Sequence, residues 1–70
     1  MSWTPEEMER LERAIVEGAR IWITRRGTEY VLLPRSVGTE GSSEVLTATT
    51  TLGDDLHFRL DEIQEWEVIG

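Results

Sequence analysis

A mainly β, α+β domain, with one N-terminal helix followed by five short antiparallel strands, is the fold class the sequence predicts, and three observations predict it. Apolar residues recur at helical spacing only before Gly18. From Ala19 onward the period shortens to two, the spacing at which alternate side chains reach the same face of a strand. Turn-forming residues then divide the remainder at Arg26-Gly27-Thr28, over 35–43 and at Leu52-Gly53-Asp54-Asp55. At 70 residues the chain holds a single domain, because so short a chain buries only ~60% of its unfolded surface and has none to divide between two cores.

The helix is predicted over about residues 5 to 17. Thr4 suits the N-cap, Pro5 the first helical position, Glu7 closes a capping box, and Trp3 and Met8 have the spacing of a hydrophobic staple. Met8, Leu11 and Ile15 form one apolar stripe beside Ala14, Glu6/Arg10 and Glu9/Arg13 stand at i,i+4, and Gly18 is the stop. Strand one is predicted over about 19–26 with Ile21 and Ile23 on the apolar face. Strand two runs over about 29–34 and ends at Pro34, which cannot donate to a ladder. The Gly- and Ser-containing stretch 35–43 reads as the longest and most mobile loop. Strand three is predicted over about 44–51 and strand four over about 56–60, with Leu56, Phe58 and Leu60 on one face and His57 and Arg59 on the other. Asp61-Glu62-Ile63 is one helical turn, and strand five covers about 66–69 with Trp66 in the core. This order is that of a small Sm/SH3-like barrel, a sheet that manages its edges by curling nearly closed while the helix covers an open end. A flat sheet with a helix laid across it is the competing architecture.

Composition narrows the chemistry. Cysteine is absent, so there is no disulfide framework, thiolate metal site or cysteine nucleophile. The single imidazole, His57, reads as a solvated or cross-strand-paired side chain on a strand rather than a base. Asp54, Asp55 and Glu44 near His57 match no EF-hand or zinc spacing, and no phosphate-cradling glycine motif occurs. An enzyme is not expected, and no cofactor or metal is implied. No apolar run approaches membrane-spanning length, and the start of the chain lacks the pattern of a secretory signal, so a cytoplasmic protein is expected without membrane contact.

Fourteen acidic residues against seven arginines give a net charge of −7, and no lysine is present. Arg20, Arg25, Arg26 and Arg35 oppose only Glu29 in the middle of the chain, whereas the stretch 54–67 opposes Arg59 with six acids. The net charge disfavours duplex nucleic acid at long range, but not a local arginine-lined site assisted by an aromatic face. Trp22 lies on the strand face opposite Ile21 and Ile23, and is either sheltered by the helix or loop or exposed beside Arg20 as a contact.

The segment Phe58-Arg59-Leu60-Asp61-Glu62-Ile63 leading to Glu67-Val68-Ile69, with the helix end at Ala14-Ile15 and Gly18 and the strand Glu29-Tyr30 to Pro34, resembles the WYL domain, an Sm-like module of bacterial transcription regulators and defence-associated proteins. The Trp-Tyr-Leu signature stands here as Glu44-Val45-Leu46. The resemblance implies a ligand pocket to which Arg59 contributes. Arg59-Leu60-Asp61-Glu62-Ile63 is also similar to a segment of the acidic Sm-like Rof family of Rho inhibitors, which implies block of a nucleic-acid-binding protein through an acidic helix.

Three readings follow. The first is a non-enzymatic regulatory binding module whose acidic surface, led by Glu6, Glu9 and Glu12, meets a basic partner protein. The second is a WYL-like sensor holding a nucleotide or short single strand near Arg20, Trp22 and Arg59. The third is a homo-oligomer built through edge strands, with the Thr47 to Thr51 region as the candidate edge.

Overall fold

The computed structural model describes residues 3–70. Its order is α1 (Pro5–Glu17), β1 (Ile21–Arg25), β2 (Thr28–Glu40), β3 (Ser43–Thr50), β4 (Asp55–Arg59), a single 3-10 turn (Leu60–Glu62) and β5 (Ile63–Val68). The strands form one antiparallel sheet in the order β4-β3-β2-β1-β5.

The start of α1 follows from its first residues. Glu7 N–H donates to Thr4 Oγ1 at 3.2 Å while Thr4 N–H donates back to Glu7 Oε1 at 3.2 Å, so two otherwise orphaned donors are satisfied. Gly18, at φ 68°, ends the helix in the left-handed conformation. Leu11 and Ala14 are buried against the sheet, with Met8 and Ile15 packed beside them. In the first hairpin, Arg26 (φ 51°) and Gly27 (φ 77°) are the two central residues between the paired Arg25 and Thr28, the type I′ signature whose twist matches the flanking strands.

Two elements differ from the sequence expectation, for the same reason. Most of the predicted loop over 35–43 is strand: β2 continues to Glu40 and pairs with β3 down to Glu40 opposite Ser43, which leaves only Gly41 and Ser42 as the turn. Pro34 does not end it. The register shifts between Pro34 and Ser36, leaving Arg35 as an unpaired bulge residue beside a proline that lacks a donor. Similarly, β5 begins at Ile63 rather than near Trp66, with a shift that leaves Gln64 as the extra residue between Glu65 opposite Thr24 and Ile63 opposite Arg25. Each bulge breaks the period of two and turns residues three apart to the same side. Pro34 and Val37 both meet the core, as do Ile63 and Trp66.

The expected barrel does not close as a ring of ladders, since β4 and β5 remain the two edges. The sheet is nevertheless strongly curled. β4 ends at Arg59 and β5 begins at Ile63. The connection spans at most ~14 Å even when fully extended. Outer strands of a flat five-stranded sheet lie ~19 Å apart, so curling is required for so short a link. The concave side holds Ile21, Ile23, Leu32, Leu46, Ala48, Phe58, Ile63 and Trp66, closed by Leu11 and Ala14 of α1.

Candidate binding surface

The three residues proposed for ligand contact do not converge. Arg20 precedes β1, its carbonyl accepting from Ile69 N–H at 2.9 Å, and it lines a cleft of about 190 Å³ with Leu32, Leu33, Thr49, Thr50 and Thr51. Trp22 lies two residues on, opposite Val31 of β2 and Glu67 of β5. Arg59 ends β4, separated from β1 by β3 and β2, and its guanidinium donates to Asp61 Oδ2 at 2.9 Å. All three alternate with core residues along the chain and so project from the outer side of the sheet.

Trp22 is not sheltered by the helix or by a loop. It stands on the outer face of the sheet, half-buried by its cross-strand neighbours, and its indole Nε1–H donates to Glu29 Oε1 at 2.9 Å. The Thr47 to Thr51 region is not an edge: β3 lies between β2 and β4, and Thr47 and Thr49 bond to His57 Nδ1 and Asp55 Oδ1 across the β3–β4 ladder. The free edges are β4 and β5.

Glu6, Glu9 and Glu12 are all exposed on α1. Of the two ion pairs expected there, Glu9 and Arg13 approach to 3.9 Å. Arg10 instead places its guanidinium 5.0 Å from the centre of the Trp66 ring. That contact belongs to a cluster the sequence reading did not assemble. Trp3 stacks on Trp66 with centroids 5.0 Å apart, Trp3 Nε1–H donates to Leu60 O at 2.8 Å, and Trp66 Nε1–H donates to Glu7 Oε2 at 3.2 Å. The hydrogen bond from the Trp66 indole, followed by that from the Thr4 backbone, holds the Glu7 carboxyl below its usual pKa. One glutamate thereby caps α1 and ties it to β5. The capping box was legible, but the distant indole was not.

Arg25 is the other unanticipated group. Its guanidinium lies 4.7 Å from the Phe58 ring centre and 5.6 Å from that of Tyr30, and donates to the Tyr30 hydroxyl at 3.3 Å. Its buried Nε has no partner, and no carboxylate pairs with it among the described residues. The neighbouring Arg26 is paired with Glu62 at 3.2 Å.

The surface clefts have volumes of about 190 to 250 Å³. Enclosing sites for small molecules usually run ~300–1,000 Å³, so these are shallow contact surfaces by comparison. Among the described residues no group of three or more His, Cys, Asp or Glu is placed to hold a metal ion. No described helix is long and apolar enough to cross a membrane.

Among solved structures, the chain is similar to Proteasome accessory factor B/C (PafBC) of Arthrobacter aurescens, with a TM-score of 0.80 and 22% identity over 100% of this chain. The chain spans 13% of the length of that protein. At this identity the likeness is one of fold, and it supports the WYL-like fold expected from the Phe58 to Ile63 segment. No protein-family model matches the chain, and no curated protein matches it.

Proposed function

We propose that the chain is a non-enzymatic regulatory binding module that meets a basic partner protein through the acidic surface of α1, led by Glu6, Glu9 and Glu12. The observation that carries this reading is the joint exposure of these carboxylates on a helix fixed at its start by the Thr4–Glu7 box and the Glu7–Trp66 bond. A fixed helix presents its charges without first having to be ordered, which lowers the entropic cost of association. Shallow clefts fit contact with a macromolecular surface better than enclosure of a small substrate. The likeness in fold to PafBC, which takes in the whole of this chain and 13% of that protein, supports reading the chain as a module.

The test is affinity capture from nuclease-treated lysate with the wild-type chain and a Glu6→Gln/Glu9→Gln/Glu12→Gln variant. Specific capture of a basic protein that weakens with salt and is lost in the variant is expected. Equal capture by both chains would remove α1 from the interface.

A second reading, a WYL-like sensor of a nucleotide or short single strand, is favoured by the cleft in which Arg20 faces three threonines, and by the fold likeness. It predicts quenching of Trp22 fluorescence by an oligonucleotide, lost in Arg20→Ala. Arg59→Ala tests the same reading at β4, where quenching unchanged by the substitution would limit the site to Arg20 and Trp22. Self-association, if it occurs, has β4 and β5 as its available edges, and light scattering distinguishes a monomer from an oligomer.

A further inference from the structure

The register of β5, β1 and β2 sets out the outer face in rows. Glu65, Thr24 and Glu29 lie side by side across the three strands, and Glu67, Trp22 and Val31 form the next row. Ile69, whose N–H bonds to Arg20 O, and Arg20 itself continue the pattern toward Leu33. Three carboxylates therefore surround one indole, and apolar side chains continue from it. Val31 is 42% exposed and Ile69 55%, and these are two of the four large hydrophobic residues most open to solvent among those described. α1 covers the opposite side of the sheet, and among the described residues no other element is packed over this one.

We propose that this face, centred on Trp22, docks a basic segment of a protein partner, with a lysine or arginine held among Glu29, Glu65 and Glu67 and an adjacent apolar side chain against Trp22, Val31 and Ile69. The proposal rests on the reading that the partner is basic, and it adds to α1 a second surface of different chemistry. On α1 the acids are interleaved with Arg10 and Arg13, and Glu9 already faces Arg13. On the sheet, Glu65 and Glu67 have no ion pair among the described residues, and the first two rows contain no arginine. Glu29 is spent in part on the Trp22 indole N–H, which fixes the ring and leaves its face for the partner's apolar side chain.

Charge selects the occupant. A second copy would bring the same carboxylates and a net charge of −7, and a nucleic acid would bring phosphates, so both meet like charge at close range. Size selects its form. Three strands at ~4.8 Å spacing and three rows at ~6.8 Å make a face of about 10 by 14 Å, which suits a segment of a few residues. A standard interface needs ~800 Å² per partner, so this face acts as the anchor of a larger contact or as a peptide site by itself.

The experiment is a titration of the ¹⁵N-labelled chain with a capped peptide alternating arginine and leucine, and with its glutamate-for-arginine counterpart, followed by NMR. The three indole N–H signals report Trp22 separately from Trp3 and Trp66. The basic peptide is expected to shift Trp22, Val31, Glu65, Glu67 and Ile69. Binding is expected to weaken about tenfold or more in Glu65→Gln/Glu67→Gln, a double variant of exposed residues in which Trp22 keeps its bond to Glu29. Shifts confined to the Glu6, Glu9 and Glu12 face would overturn this surface while sustaining the α1 reading. Equal binding of the acidic peptide, or unchanged affinity in the double variant, would overturn the role of the carboxylates. Absence of shifts with the basic peptide up to millimolar concentration would overturn both readings.

Discussion

Ile63→Ala tests the bulge at Gln64 most directly. A residue in a surface helical turn would tolerate truncation, but the bulge turns Ile63 into the core beside Trp66, and its exposure is 0%. Truncating a fully buried isoleucine costs ~2–5 kcal/mol, from the lost transfer of methyl groups and the cavity left behind. A domain of this length has a total stability of roughly 3.5–10 kcal/mol at the usual value per residue. The variant thus loses a large share of its stability, and the melting temperature falls by about 4–8 °C for each kcal/mol. Ile63→Val, which removes one methyl group, is expected to cost ~0.5–1.5 kcal/mol and remain folded if the alanine variant does not. The paired control is Gln64→Ala, which removes the acceptor for Gly27 N–H at 3.2 Å but no buried apolar surface, and is expected to cost about 1 kcal/mol or less. Urea unfolding followed by circular dichroism gives the midpoints, with unchanged slopes if the compactness of both states is preserved. A cost for Ile63→Ala no larger than that for Gln64→Ala would refute the inward placement of Ile63.

Three further outcomes are expected. Arg25→Met retains most of the packing on Phe58 and Tyr30 while removing an unpaired charge and its orphaned Nε, so thermal melting should show unchanged or raised stability, whereas Arg25→Ala lowers it through lost contacts. Glu7 has a folded pKa below its value of 4.5 in the unfolded chain, so its contribution is fully present above that value and is lost as pH falls through the folded pKa; Glu7→Gln should flatten the acid limb of stability against pH. Arg26 holds φ at 51° in the turn before Gly27, where asparagine is at less cost, and its exposed pair with Glu62 is worth only ~0–1 kcal/mol. Arg26→Asn should therefore melt at the same or a higher temperature, and Arg26→Val, β-branched at positive φ, at a lower one.

Local signals carried the helix almost entirely. Thr4, Pro5, Glu7 and Gly18 act within a turn or two of themselves, and the structure places each in the role its type implies. The same holds for the alternation that put Ile21, Ile23, Phe58 and Leu60 inside, and for the single helical turn before the last strand, which forms one residue earlier than expected at Leu60–Glu62. The stretch 35–43 failed because its glycines and serines have turn-forming propensity, while its strand conformation comes from pairing with β3, a partner whose register no local window contains.

The candidate surfaces divide in the same way. That Glu6, Glu9 and Glu12 are solvent-facing is a consequence of helical period and was readable; that Arg10 leaves Glu6 for Trp66 was not, because Trp66 is 56 positions away in the chain. Arg59 and Trp22 looked combinable in sequence, but the strand order sets two strands between them.

By itself, the sequence determined the elements whose stabilising contacts lie within a few residues: the capped helix, the tight hairpin turn and the two-residue alternation that separates core from surface. Tertiary structure alone decided the length of β2, the start of β5, the company of Trp66 and the row of carboxylates around Trp22. The physical reason is common to all four. Each depends on which backbone lies alongside, and a bulge that adds one residue to a strand reverses the facing of every residue beyond it, a choice made by the neighbouring strand and the core rather than by the segment itself.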